Sequence, residues 1–309
     1  MSDIGRRGAL GIGLEATPGT TTTIDFWIPY LDCGLVERHT PIADVAAKGI
    51  RDEQGNDSVE GKKWGEGSIE VVLDPKTAPC WLAMAIGSMT SSLGAGTVYY
   101  HTIERKADNV PLTATIYRDR VSDEIKFPYS VVNTLALSFA DDVAKISVDI
   151  LSRYPIVEGD TPSYVDLELF TFKNAYVELT NDGATSTLTV REFTLNINNN
   201  AEVKYAPNSN DVDTIVSKNF NVDGSIVIDF ENATQRNAFR DLTKQALSVV
   251  FESGTKKITI TIPQFRVDPL DIDTPNDDIS GETINFIAEY DATTTSTIRV
   301  VVENGVSGY

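Results

Sequence analysis

Cysteine is almost absent from this chain: Cys33 and Cys80 are its only two in 309 residues, far apart and outside any CxxC pair. A disulfide-dense secreted scaffold and a four-ligand zinc module are both excluded, so folding has to rest on burial. Long hydrophobic runs are missing as well. The most apolar stretch, CWLAMAIG at 80–87, is far short of the roughly 18–20 residues of a membrane span. The opening MSDIGRRGALGIG lacks the apolar core of a signal peptide, so no membrane association is expected and the chain reads as made in a cytosol-like compartment. Positive charge is scarce: 26 Lys and Arg against 45 Asp and Glu leave a formal charge of −19. Such a surface repels phosphate backbones and anionic headgroups, which argues against a conventional nucleic-acid reader.

Catalytic and metal-binding patterns are missing too. The two histidines, His39 and His101, lie in polar segments without a nucleophile and acid arranged around them, and both read as surface residues. No His/Cys cluster has ligand spacing. The acidic run DPLDIDTPNDD at 268–278 lacks the Gly and terminal Glu of a calcium loop and reads as a solvated loop able to hold a cation only weakly. GIG at 11–13 is not followed by a helix opening on a third glycine, so it is no dinucleotide fingerprint. Neighbouring carboxylates such as Asp141 and Asp142, or Glu282 and Glu289, follow from composition in so acidic a chain. No catalytic residue, metal or cofactor is assigned.

What the chain does have is a period of two. In FTLNIN at 193–198, Phe193, Leu195 and Ile197 share one face and Thr194, Asn196 and Asn198 the other, the signature of a half-buried strand. TLALSF at 134–139, KISVDI at 145–150, TINFIAEY at 283–290 and TIRVVVE at 297–303 repeat it. Two segments break the alternation: GSIEVVLD at 67–74 precedes PKTAPCWLAMAIG, and GSIVIDFE at 224–231 precedes NATQRNAFRDLTKQ. Each reads as strand then helix. Asp74 or Asn232 would supply the cap, and Phe239, Leu242 and Ala246 the buried stripe of the second helix.

Gly67 and Gly224 open the same GSI phrase 157 residues apart, and TATIYRD at 113–119 and LSVVFES at 247–253 follow in the same order, which suggests a tandem duplication. The proline-bearing stretch 153–166 is the expected seam. The division expected is an N-terminal arm over 1–20, a first domain over 21–157, a second over 158–303 and a C-terminal arm over 304–309, the arms ordering only against neighbours. Long polar connections at 36–66 and 199–223 precede the two strand–helix units.

Three passages resemble the tail tube (major tail) proteins of long-tailed bacteriophages and related prokaryotic viruses. They are GIGLEATPGTTTTIDFWIPY at 11–30, FPYSVVNTLALSFADDVAKISVDILSRYP at 127–155 and FKNAYVELTNDGATSTLTVREFTLNINNNAEV at 172–203. The resemblance implies a mainly β protein: two tandem tube-type β-sandwich or barrel domains, each with one flanking helix. Neighbouring copies would join in a continuous ring β-barrel. It implies a structural virion protein made in the host cytoplasm, with rings stacked into a tail tube. A doubled domain favours a trimer that imitates a six-fold ring, a hexamer being the alternative. Expected partners are further copies, tail-terminator, tape-measure and distal tail proteins, and double-stranded DNA passing through without specific binding.

Under this resemblance the alternate polar positions Ser68, Glu70, Ser147, Asp149, Asp229 and Glu289 become candidates to line the channel. The polar connections become candidates for ring stacking, with Arg38, Asp44, Arg51, Asp52, Glu53 and Lys62 in the first and Lys204, Asn208, Asp211, Asp213 and Lys218 in the second. A carbohydrate- or cell-surface-binding β-sandwich would need an aromatic platform, whereas aromatics are 8% of the chain and mostly alternate with polar residues. A β-rich hydrolase would need a catalytic constellation.

Overall fold

The computed structural model describes residues 7–42, 59–94, 96–105, 108, 110–121, 123–140, 142–164, 168–181, 183–230, 234–273 and 280–309. The first half runs β1 (Ala9–Leu14), β2 (Phe26–Trp27), β3 (Tyr30–Cys33), β4 (Val36–His39), β5 (Lys63–Val72), α1 (Ala78–Ile86), β6 (Gly87–Leu93), β7 (Tyr99–Arg105), β8 (Ala114–Asp119), β9 (Glu124–Phe139), β10 (Lys145–Ser152) and β11 (Ile156–Val157). The second runs β12 (Ala175–Asn181), β13 (Ala184–Leu188), β14 (Val190–Asn198), β15 (Glu202–Tyr205), β16 (Val212–Val216), β17 (Asn221–Asp229), α2 (Thr234–Asp241), β18 (Gln245–Ser253), β19 (Lys256–Asp273), β20 (Gly281–Ala288) and β21 (Arg299–Asn304). The protein is mainly β and antiparallel, a β-sandwich with two helices and, among the described residues, no closed barrel.

The order of pairing recurs. In the first half β1 pairs with β8, β8 with β9, β9 with β10, β10 with β5, and β5 with β3 and β4. In the second, β12 pairs with β18, β18 with β19, β19 with β20, β20 with β17, and β17 with β14. The long strands β9 and β19 each serve two layers. Residues 124–130 of β9 pair with β8 and its later residues with β10; residues 256–265 of β19 pair with β18 and its later residues with β20. Each breaks register at the same place, before Ile150 of β10 in one half and before Phe286 of β20 in the other, a bulge that bends a strand from layer to layer.

The GSI phrase has a steric reason. A Cβ on Gly67 would sit 2.3 Å from the carbonyl oxygen of Gly34, just before β4, and one on Gly224 would sit 2.2 Å from that of Thr194 in β14. Both glycines let the corresponding neighbour approach.

One apolar core runs through both halves, from Leu10 and Ile12 to Val300 and Val302. The alternation read from FTLNIN holds, with Phe193, Leu195 and Ile197 buried. The helices differ from expectation. All nine residues of α1 are buried, so it is a core rod without a polar face. Its N-cap is Thr77; the buried Asp74 carboxylate instead accepts from the backbone N–H groups of Lys76, Thr77 and Glu168. In α2 the buried residues are Gln235 and Ala238, while Phe239 and Leu242 are exposed and Ala246 belongs to β18. Asn232 lies outside the described residues. Among the described residues no helix is long and apolar enough to cross a membrane.

Both terminal arms also need correction. Residues 9–14 form β1, paired with β8 and β2, with Leu10 and Ile12 fully buried. Glu15 then folds the TPGT turn onto the core. Its carboxylate accepts from the hydroxyls of Thr113 and Thr115 and the N–H groups of Gly19 and Tyr129, all within 2.9 Å. At the other end Tyr309 stacks on Phe26 and meets the edge of His101, and its hydroxyl donates to the Lys76 carbonyl. The acidic run is corrected as well: 268–273 continues β19, because Leu270 packs on the core and pairs opposite Ile284.

Candidate functional site

The inner layers of the two halves are one sheet. The later part of β9 pairs on one side with β10 and on the other with β14, Phe139 opposite Phe193 through Thr134 opposite Asn198. The continuous order is therefore β3/β4, β5, β10, β9, β14, β17, β20, β19. One face of this sheet lies on the core. The other is polar, and its rows can be read across the register: Glu70, Ser147, Ala136, Asn196, Asp223 in one row and Ser68, Asp149, Thr134, Asn198, Asn221 in the next.

Of the six residues expected on such a face, Ser68, Glu70, Ser147 and Asp149 share it in the first half. Thr134 donates to Asp149, and Lys145 approaches Glu70 at 3.7 Å. Asp229 ends β17 and pairs with Arg191 at 2.5 Å. Glu289 falls just beyond β20, where Lys244, Gln264 and Arg266 hold its carboxylate below the usual range, the Lys244 hydrogen bond being the main cause.

The sheet has two open borders among the described residues. At one, β3 and β4 pair only with β5; at the other, the stretch of β19 beyond Phe265 pairs only with β20. An unpaired border is a row of backbone donors and acceptors that another chain can complete.

The family described as phage tail tube protein matches residues 5–288. The chain belongs to that family. It is thus a structural protein of a virion tail, of a kind that self-associates into a tube. None of the curated proteins compared with it matches.

In this tail tube protein the two connections expected to stack rings meet at one end of the sheet. Residues 202–216 form a hairpin of β15 and β16 that folds onto the first half, with Val212 and Ile215 packed against Tyr129 and Val131. Lys63 N–H donates to the Asn210 carbonyl, Lys62 sits over the Tyr205 ring, and the Asp211 carboxylate accepts from Tyr154 N–H. Arg153 clamps the hairpin through the carbonyls of Val212 and Asp213 while its guanidinium covers Tyr129. Lys218 pairs with Glu202 at 2.7 Å, Lys204 lies in β15, and Asn208 takes a left-handed backbone with φ of 77°. Arg38 is part of β4 and pairs with Glu66. Asp44, Arg51, Asp52 and Glu53 lie outside the described residues.

The reading of surface histidines holds for His39 and fails for His101, which is fully buried between the halves. The Asn304 amide donates to the Pro75 carbonyl, so its oxygen faces the imidazole: His101 Nε2–H donates to it at 3.0 Å and Nδ1 accepts from Ser91 at 2.8 Å. Desolvation keeps the imidazole below its ordinary value of 6.5, against the raising effect of the Asn304 contact. A depressed imidazole contributes stability above that value and loses it as pH falls through the folded pKa. Urea midpoints measured from pH 7.5 down to 5.5 should fall more steeply for the natural chain than for His101→Gln.

Asn199 is a second joint missed from sequence. Its amide donates to the carbonyls of Ala85 in α1 and Val132 in β9 and its oxygen accepts from Arg105. The asparagine cluster was visible in the sequence; its partners, distant along the chain, were not.

Proposed function

We propose that this tail tube protein closes into rings by joining its two open sheet borders between copies, that the rings stack into a tube, and that the polar sheet face lines a channel conducting viral DNA. The observation that carries this reading is the β9–β14 junction. By the recurring pairing order, β19 corresponds to β9, and β3 with β4 to β14. The seam inside the chain is therefore a template for the seam between chains, β19 of one copy against β4 of the next. Head-to-tail contacts of this kind close by rotation into a ring.

We divide the chain accordingly into tandem tube domains at 21–157 and 158–303, with β1 and the C-terminal residues docked onto them. Two such domains per chain favour a trimer with six quasi-equivalent sheets over a hexamer. The face assigned to the channel, with Ser68, Glu70, Ser147, Asp149 and Asp229, is dominated by hydroxyls, amides and carboxylates. At about 0.15 M salt screening acts within roughly 8 Å, so such a wall discourages adhesion of DNA while leaving the bore open. The partners that follow are further copies and the terminator, tape-measure and distal tail proteins of the same virion.

Stacking is assigned to the sheet end where 36–66 meets the β15–β16 hairpin. Arg38 and Lys63 belong to strands, so removing all of 36–66 would damage the fold; the segment to exchange is 43–58. Its flanks are pinned, with Ile42 and Val59 exchanging backbone hydrogen bonds at 3.0 and 2.8 Å. Negative-stain microscopy of the concentrated natural protein should show rings and tubes with three-fold end-on views. A variant with 43–58 replaced by a short turn should give rings without tubes. Monodisperse monomers at all concentrations would refute the ring reading, and normal tubes from the variant would refute the stacking assignment.

A further inference from the structure

The seam inside the chain joins more than strands. α1 packs on β9 of its own half and on β14 of the other, and the Asn199 amide, just beyond β14, donates to the Ala85 carbonyl in the last turn of α1. In the second half α2 follows β17 as α1 follows β5, and it packs on β19, the counterpart of β9. The strand corresponding to β14 on its other side belongs, by the joining of borders proposed above, to the next copy. Burial differs accordingly. Every residue of α1 is buried, whereas α2 buries only Gln235 and Ala238, leaving Phe239 37% exposed and Leu242, just past the helix, 66% exposed.

Leu242 is also strained. It closes α2 in the left-handed region, with φ of 51°, its N–H donating to the Phe239 carbonyl and that of Thr243 to the Ala238 carbonyl. Glycine is the residue that suits this position. An apolar side chain kept there and left in solvent contributes little to an isolated chain.

The register identifies what reaches it. Val36 of β4 lies opposite Glu66 as Asn196 of β14 lies opposite Asp223, the residue 157 positions after Glu66. Leu35 then matches Leu195, and both are fully buried. Glu37 matches the buried Ile197, and His39 matches Asn199. Glu37 and His39 therefore lie on the side of β4 that in β14 meets the core and α1, yet both are exposed. Charge agrees with the match: in a chain of net charge −19, α2 presents the exposed Arg236 and Arg240 against one acid, Asp241. We infer that α2 makes a second contact between copies, with Phe239 and Leu242 seating the end of β4 of the next copy and Arg240 pairing with that copy's Glu37. The inference rests on the joined sheet borders and adds to them a contact made by side chains.

The test uses the full chain, with ring formation followed by sedimentation velocity over a concentration series and subunit stability by urea unfolding at a dilution where rings are absent. Leu242→Gly should relax the backbone and leave the urea midpoint equal or higher, while the concentration needed for rings rises about tenfold. Arg240→Glu should weaken ring formation similarly, and adding Glu37→Arg to it should recover most of the loss. Rings at the natural concentration from both single variants would overturn this contact and leave the strand seam standing. An Arg240→Glu defect that Glu37→Arg does not repair would overturn it too. A natural chain that never forms rings would remove the seam and this contact together. Should Leu242→Gly lower the urea midpoint, the leucine serves the subunit's own fold, and the charge exchange decides the matter.

Discussion

A chain carrying Val36→Cys and Asp271→Cys should, on mild oxidation of assembled material, run as covalent multimers on a non-reducing gel, the ladder ending at the ring number. The pair follows from the register inside the molecule. Asn196 faces Ala136 at the β9–β14 seam. Asn196 lies opposite Asp223 of β17, and Val36 lies opposite Glu66, the residue 157 positions earlier in β5. Ala136 faces Ser147 of β10, and Asp271 faces Thr283 of β20, which occupies the corresponding place opposite β17. Val36 of one copy should therefore face Asp271 of the next, with Cβ atoms roughly 4.5–5.5 Å apart as in any antiparallel pair, within reach of a disulfide. Each single variant should give no ladder beyond a dimer. A ladder ending at three supports the trimer; one reaching six supports the alternative. A double variant that assembles but never cross-links would refute the edge-to-edge seam.

The second large effect is on folding itself. A side chain at Gly224 would place its Cβ 2.2 Å from the Thr194 carbonyl oxygen and 2.6 Å from the Phe286 ring. Neither can retreat, since Thr194 belongs to the β14–β17 ladder and Phe286 is core. Overpacking of this kind costs about 1–3 kcal/mol when neighbours can yield, and here they cannot. Gly224→Val should consume most of a typical stability of about 5–15 kcal/mol and yield insoluble or unfolded protein. Gly281→Ala is the control, because a Cβ there meets only the Ile228 carbonyl oxygen, at 4.0 Å. Urea unfolding should show that control near the natural midpoint. Equal stability of Gly224→Val would mean that β14 does not lie where the register puts it.

The parts of this fold legible in the sequence are those set by neighbours along the chain. Alternation placed Leu135, Leu137 and Phe139 on the buried face of β9, as it did Ile146, Val148 and Ile150 in β10. The repeated GSI phrase marked two corresponding strands, β5 and β17; that both glycines sit at close backbone approaches emerged only from the structure. What failed depended on tertiary surroundings. A helix buried on every side, as α1 is, has no stripe to find, and α2 buries Gln235, whose oxygen accepts a hydrogen bond from Gln245 of β18. The strand at 268–273 was disguised by Asp268 and Asp271, which an edge bordering solvent tolerates. His101 and Asn304, 203 residues apart, could be joined only in three dimensions. The polar face was partly legible: alternation put Asn196 and Asn198 on it, and the candidates Ser68, Glu70, Ser147 and Asp149 share it, while Asn221 and Asp223 emerged from register alone.

The hairpin of β6 and β7 belongs to the first half by sequence but adds to the sheet of the second, Ile103 lying opposite Val300 and Met89 opposite Ile103. Its removal would strip β21 of a partner and leave Asn304 without His101. Severing the chain near residue 158 would therefore not release two free-standing units, since each fragment would lack something held by the other. If the molecule arose by copying a smaller ancestor, the exchange of that hairpin made the fusion irreversible: the descendant can lengthen or decorate its loops, but it can no longer be divided back into two.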